Sequence, residues 1–181
     1  MTGKNIRKLV LAALLAALTA VATMIIRIPT PTQGYIHLGD GMVLICGILL
    51  GPGLGALAAG IGSADLIGGY MAWVPGTFAI KALTALLGGW LYHRMAGKGM
   101  NTITRVILCG IPAEIIMVLG YFVYEVGMEV VMGSSMGAAA AAVVLGVPMN
   151  IVQGIAGIIV GAVLLPVLSH ASAEMGEKIR A

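Results

Sequence analysis

Charge is what this chain has least of: only 9% of its 181 residues are Asp, Glu, Lys or Arg, where soluble domains carry roughly 25%. Cysteine is nearly absent too. Cys46 and Cys109 each lie inside an apolar run. Neither has the CxxC spacing or the neighbouring histidines of a metal site, so both read as small buried hydrophobes. Also missing are an HExxH pair, a GxSxG nucleophile elbow and a GxxxxGK[ST] phosphate loop. Gly60-Ile-Gly-Ser63 lacks the lysine that a phosphate loop needs. These absences leave an enzyme without a nucleophile or metal, and the chain is expected to need neither metal nor cofactor. An ATP-driven process would need its motor on another subunit. No self-similarity relates the two halves, which disfavours the repeat-built secondary transporters. A stand-alone secondary transporter of a small solute is nevertheless the alternative reading.

What is present is hydrocarbon. Hydrophobic residues make up 60% of the chain and the mean hydropathy is +1.06. Composition therefore places the chain in the lipid bilayer as a single membrane domain, residues 1–181, of the all-α class. Twenty-seven glycines and many alanines fit helices that pack closely in lipid.

Apolar runs and breakers predict about six helices. The first spans Leu9–Ile28 and ends at Pro29 and Pro31, since proline removes a donor and restricts the residue before it. Its basic flank resembles a signal peptide, but its length and the apolar runs that follow favour a retained helix. Leu38–Leu50 and Ala56–Ile67 follow, split by Gly51-Pro52-Gly53 and each short for a full crossing. A fourth helix starts at Pro75 or Thr77 and ends at Tyr92. The fifth covers Val106–Tyr124 and the sixth Val143–Leu168.

Eight of the ten basic residues, Lys4, Arg7, Lys8, Arg94, Lys98, Arg105, Lys178 and Arg180, fall on one side of this arrangement, leaving only Arg27 and Lys81. The positive-inside rule makes both termini cytoplasmic, with the loops around Thr32, Tyr70 and Gly133 outside. The net charge of +3 is then a topology signal, and nothing in it calls for nucleic acid.

Polar residues at membrane depth cost on the order of 3 kcal/mol each and mark pathways or sites. Thr77, Lys81, Thr84 and Gly88 recur on one helical face, as do Glu114, Met117 and Tyr121, and Gly146, Asn150, Gln153 and Gly157. The three faces can converge on a cavity. Lys81 either reaches it or pairs with Asp65 or Glu114; Asn150 and Gln153 either contact a ligand or bridge helices. Tyr35, His37, Tyr70 and Trp73 sit in the outer loops, as an interfacial belt or as a lid that stacks on a flat ligand. Asp40 is expected to cap its helix, and Asp65 to cap its loop or neutralise Lys81. Ala12, Ala16 and Ala20, with Ala13 and Ala17 beside them, make a flat strip on the first helix that suits close contact with another helix, of this chain or of a second subunit.

Several of these stretches together resemble one known family. The Ala12–Ala17 strip, Tyr35-Ile-His-Leu-Gly-Asp40, Leu49-Leu-Gly-Pro52, Gly62-Ser-Ala-Asp-Leu66 with Gly69-Tyr70, and Ile80-Lys81 resemble, in order and over nearly the whole chain, the S component of energy-coupling factor (ECF) vitamin transporters of the riboflavin type. The resemblance implies a six-helix subunit of the bacterial cytoplasmic membrane that captures a vitamin or its precursor from outside. It also implies a transmembrane coupling subunit and two cytoplasmic ATPases, with Ala12, Ala13, Ala16 and Ala17 docking on the former. The segments Pro29–His37 and Tyr70–Pro75 would close over the ligand. A small heteroaromatic ring, such as riboflavin, a pyridoxine-like compound or hydroxymethylpyrimidine, is the expected cargo. Tyr35, His37, Asp40, Tyr70, Trp73, Lys81, Glu114, Tyr121, Asn150 and Gln153 are the candidate contacts, and Lys81 would suit an anionic group.

Overall fold

A computed structural model describes residues 3–29, 35–63 and 65–174. Lys178, Arg180 and Thr32, which the topology argument uses, lie outside the described residues. Among the described residues the regular structure is helical apart from one small strand pair. Helix α1 covers Gly3–Ile25, and strands β1 (Arg27–Pro29) and β2 (Tyr35–His37) follow it. Then come α2 (Asp40–Leu50), α3 (Pro52–Ile61), the single turn α4 (Asp65–Gly68) and α5 (Val74–Arg94). The last described elements are α6 (Thr102–Val131), α7 (Met136–Val143) and, after a 3-10 turn, α8 (Val147–Glu174).

Four of these stretches are long and apolar enough to cross a bilayer: Asn5–Ile25, Val74–Arg94, Thr102–Val131 and Met136–His170. The other two expected spans, α2 and α3, have 11 and 10 residues. At 1.5 Å per residue each covers roughly half of a hydrocarbon core about 30 Å thick. They form a tight helical hairpin about Gly51, whose φ of 81° is open to glycine, with Pro52 starting the second helix.

Several expected boundaries differ from the structure. The first helix ends at Ile25 rather than Ile28. Proline's bias on its predecessor makes the backbone extended here, and the expected loop is a hairpin in which Arg27 faces His37 and Pro29 faces Tyr35. The third helix stops at Ile61 instead of Ile67, and α4 is a separate turn. The fifth and sixth spans are longer than their apolar cores. Asn101 caps α6 by accepting from the Thr104 N–H at 2.8 Å, well before Val106, and a short alanine-rich helix, α7, precedes α8.

The core forms where small residues let backbones meet. A Cβ on Gly47 would collide with the Ala85 carbonyl, one on Gly89 with the Gly47 carbonyl, and one on Gly55 with the backbone of Cys46 and Gly47. Helices α2, α3 and α5 therefore touch backbone to backbone. Gly47→Ala should destabilise the protein by about 1–3 kcal/mol, because a carbonyl cannot yield as a side-chain tip can; thermal unfolding in detergent measures it. Leu11, Ala12 and Leu15 of α1 are buried in the same core, whereas Ala13 and Ala17 are exposed. The alanine strip thus has two sides, and Ala12 and Ala16 lie on the inner one, Ala16 packed against the core.

Contacts at one end hold the basic residues together. His93 Nε2 lies 3.0 Å from the Ile48 carbonyl. Arg105 donates to the Tyr92 carbonyl at 2.9 Å and stacks on the Tyr92 ring. The hairpin, α4 and the first turn of α5 gather at the opposite end.

Candidate functional site

The polar faces read from helical spacing all turn inward: Thr77, Lys81, Thr84, Glu114, Met117, Tyr121, Asn150 and Gln153 are each 9% exposed or less. What they do there divides into three groups.

The deepest group is a buried ion pair. Lys81 Nζ lies 2.5 Å from Asp40 Oδ1, and both side chains are fully buried. The Gln153 amide donates to Asp40 Oδ2 at 2.7 Å and its Oε1 accepts from the His37 backbone N–H at 2.9 Å. Lys81 also lies 5.0 Å from the centroid of the Tyr121 ring. This corrects two expectations and selects between the two roles left open for Gln153. Lys81 pairs with neither Asp65 nor Glu114. Asp40, at the start of α2, makes no helix cap; the α2 cap position is Gly39, without a side-chain bond. Gln153 has both ends of its amide engaged, so it links α8, α2 and β2. In a low-dielectric interior a lysine needs a carboxylate partner, and that carboxylate needs its remaining lone pairs satisfied. Asp40, Lys81 and Gln153 meet both conditions.

The second group walls a cavity at the hairpin end. It is lined by Tyr35 and His37 of β2, Tyr70 and Trp73 of the turn before α5, Tyr121 of α6 and Asn150 of α8. Those candidates come together as the sequence places them. Asp65, Thr77 and Glu125 also line it. Thr77 was legible as one turn from Lys81, and Glu125 as one turn from Tyr121, but neither was singled out as a contact. Tyr35 donates to Asp65 Oδ1 at 2.6 Å, so Asp65 holds the hairpin instead of neutralising Lys81. The Tyr35 ring stacks on Tyr70, centroids 4.6 Å apart, and Tyr70 meets Trp73 edge-on at 6.4 Å. The space is about 20 Å³, room for roughly one water. A ring does not fit it as it stands.

Burial and the Asp65 carboxylate hold the Tyr35 hydroxyl proton far above the ordinary phenol range. His37 is pushed the other way, from 6.5 down to about 3, chiefly by burial and then by the Lys81 ammonium, with Asp40 opposing and Arg27 assisting. Its neutral Nδ1 accepts from the Gly39 N–H at 2.9 Å. A folded-state pKa below the unfolded one means that the unfolded chain takes up the proton first. Stability is therefore complete above pH 6.5 and falls by about 1.4 kcal/mol per pH unit below it, down to pH 3. Lowering the pH from 7 to 5 should depress the melting temperature, and His37→Gln should remove most of that dependence.

Glu114, the remaining candidate, stands apart. It is 5% exposed, and neither carboxyl oxygen has a hydrogen-bond partner among the described residues. Instead of the hairpin-end cavity it lines an apolar groove of about 310 Å³ between α6 and α8, with Ile111, Ile115, Val118, Ile151 and Gly154. Among the described residues no group of three His, Cys, Asp or Glu side chains comes together to hold a metal.

The cavity walled by these aromatic rings thus lies at the end of the helical bundle opposite His93 and Arg105. The family described as the ECF-type riboflavin transporter, S component, matches residues 3–170. The chain belongs to that family. This S component is also similar to a protein of Pyrococcus woesei named only as an uncharacterized protein in the gap 3′ region. The two are 37% identical over 147 residues, covering 78% of this chain and 87% of the relative. Membership makes it a membrane component of a vitamin-type transporter, a class that is not enzymatic.

Proposed function

We propose that this S component captures a small heteroaromatic vitamin or vitamin precursor in the hairpin-end cavity, for ATP-driven uptake across the cell membrane. The observation that carries the reading is the cavity itself, walled by aromatic rings from β2 and from the turn before α5 and floored by helical polar groups, in a chain of this family. Asn150 is nine-tenths buried there, and its amide makes no hydrogen bond to another described residue, so donor and acceptor are both available to a ligand. In this reading Tyr35, His37, Tyr70, Trp73, Tyr121 and Asn150 touch the ligand, and Asp40, Lys81 and Gln153 hold the floor and lid in place. An anionic group on the ligand has no free ammonium at Lys81 to meet, because Asp40 takes it.

The cavity end faces outward and both termini are cytoplasmic, since Arg7, Lys8, Arg94, Lys98 and Arg105 gather at the other end. The helical hairpin of α2 and α3 completes six passes with the four long spans. With no phosphate loop in the chain, uptake needs a transmembrane coupling subunit and two ATPase subunits, as family membership implies. The docking face on the coupling subunit is the outer side of the alanine strip, Ala13 and Ala17.

Ala13→Leu with Ala17→Leu should leave ligand affinity unchanged and abolish uptake in cells that supply the coupling subunit and ATPases. Uptake that persists removes the strip as the docking face. Uptake driven by an ion gradient in vesicles holding this chain alone would replace the whole reading with a stand-alone secondary transporter.

A further inference from the structure

The tautomer of His37 is fixed by a residue two positions on. Its Nδ1 accepts from the Gly39 N–H at 2.9 Å, and an imidazole nitrogen that accepts carries no proton. Burial keeps the ring neutral at physiological pH, so its proton sits on Nε2. Gly39 makes this approach possible. A Cβ at that position would stand 2.8 Å from Nδ1 and 3.0 Å from Cε1, and would collide with Thr23 Oγ1. His37 is therefore a donor held in one orientation, not a ring free to present either nitrogen.

Among the described residues nothing accepts from that donor. Nor is Nε2 sealed among apolar atoms: the fully buried side-chain nitrogens and oxygens without a partner are Thr23 Oγ1, Arg105 Nε and the two Glu114 oxygens. Nε2 thus opens on the cavity that His37 lines. Asn150, another lining residue, belongs to the same wall, because Gln153, one turn further along its face of α8, accepts from the His37 backbone N–H at 2.9 Å. Together they offer an imidazole N–H and a carboxamide, both neutral. An N–H without an acceptor in a nearly dry space costs free energy, and a ligand acceptor removes that cost. A ring nitrogen that already carries a proton would instead set one N–H against another.

We propose that His37 decides which rings the cavity accepts: its Nε2–H, held as a donor by Gly39, bonds an unprotonated ring nitrogen or a ring carbonyl oxygen on the edge of the bound heteroaromatic. The inference rests on the proposed function and narrows its substrate class to rings with a free acceptor at the edge. A ring of the same shape without that acceptor leaves the donor stranded and is rejected.

The test is calorimetric titration of the full chain in lipid nanodiscs, at a mildly alkaline pH that leaves ring nitrogens unprotonated. The probes are riboflavin, hydroxymethylpyrimidine and the carbocyclic counterpart of the latter, an amino-methylbenzyl alcohol in which C–H replaces both ring nitrogens. The pyrimidine should bind about ten- to a hundredfold more tightly than its counterpart. His37→Asn keeps an acceptor for the Gly39 N–H but withdraws the donor from the cavity. It should cost the pyrimidine and riboflavin about ten- to a hundredfold each and leave the counterpart nearly unchanged, with thermal unfolding showing that the variant is folded. His37→Gln, whose amide nitrogen reaches the Nε2 position, should lose less than His37→Asn. If riboflavin alone binds, its loss in His37→Asn against its retention in His37→Gln reads the same bond. A pyrimidine that binds no better than its counterpart, a preference that survives His37→Asn, or equal losses for pyrimidine and counterpart in that variant overturns the donor assignment and leaves the heteroaromatic site standing. If none of the three probes binds, both the donor assignment and the site fall.

Discussion

Asp40→Ala should be among the most damaging single substitutions in this protein, costing about 3–5 kcal/mol, because it leaves a lysine ammonium uncompensated in the interior of a membrane bundle. Lys81 is 0% exposed, so water cannot take over the role of the carboxylate. Lys81→Met should cost a similar amount from the other side, since it leaves Asp40 with the Gln153 amide as its only remaining side-chain partner. The double substitution Asp40→Leu with Lys81→Met removes both charges together and should recover most of the loss, as apolar replacements of buried ion pairs do. Thermal unfolding in detergent, followed by tryptophan fluorescence, measures all three. If the two single variants unfold within a few degrees of the parent, the pair does not hold the bundle together.

The second large effect concerns the tie between the lid and that pair. Gln153 takes the His37 N–H and gives its own amide to Asp40, so β2 is fastened directly to the charged centre of the bundle. Gln153→Leu removes both bonds and strands the His37 N–H, a loss of roughly 1–3 kcal/mol. That loss falls on the hairpin and on Asp40, whose second carboxylate oxygen loses its donor. Ligand affinity should therefore drop about ten- to a hundredfold, and the melting temperature should fall by less than in Asp40→Ala. Hydrogen exchange at the His37 amide should accelerate by a similar factor. Unchanged exchange at that amide would show that the hairpin is held by something other than Gln153.

How far the sequence reached can be judged from particular residues. The inward faces of α5, α6 and α8 were legible because a period of 3.6 places Thr77, Lys81 and Thr84 on one line whatever the helix packs against. The partner of Lys81 was not legible. Periodicity fixes a face, but not which residues on neighbouring faces meet, and Asp40 reaches Lys81 across 41 positions of sequence and Gln153 across 113. Asp40 followed Gly39 at a helix start and so read as a cap; burial under α5 and α8 gave its carboxylate a stronger partner. The hairpin read as a loop because two prolines argue against strands, yet two edge strands that pair only with each other tolerate proline. Glu114 shared a face with Tyr121 and was grouped with it. Seven residues is two turns, about 10 Å along the axis, enough to carry Glu114 away from the cavity and beside the groove between α6 and α8. The split of the alanine strip into inner and outer sides depended on where α3 lies, which spacing alone does not say.

The central claim is that the hairpin-end cavity binds a small heteroaromatic compound, and mass spectrometry of what the purified protein retains tests it most directly. The native chain should release one nitrogen-containing aromatic compound in near-stoichiometric amount on denaturation. The Asn150→Ala variant, equally folded, should release little or none, since loss of a hydrogen bond to a buried ligand weakens binding about ten- to a hundredfold. Recovery of the same compound from both proteins in equal amount, or of no aromatic compound from the native chain under conditions in which added ring compounds also fail to bind, would contradict the account.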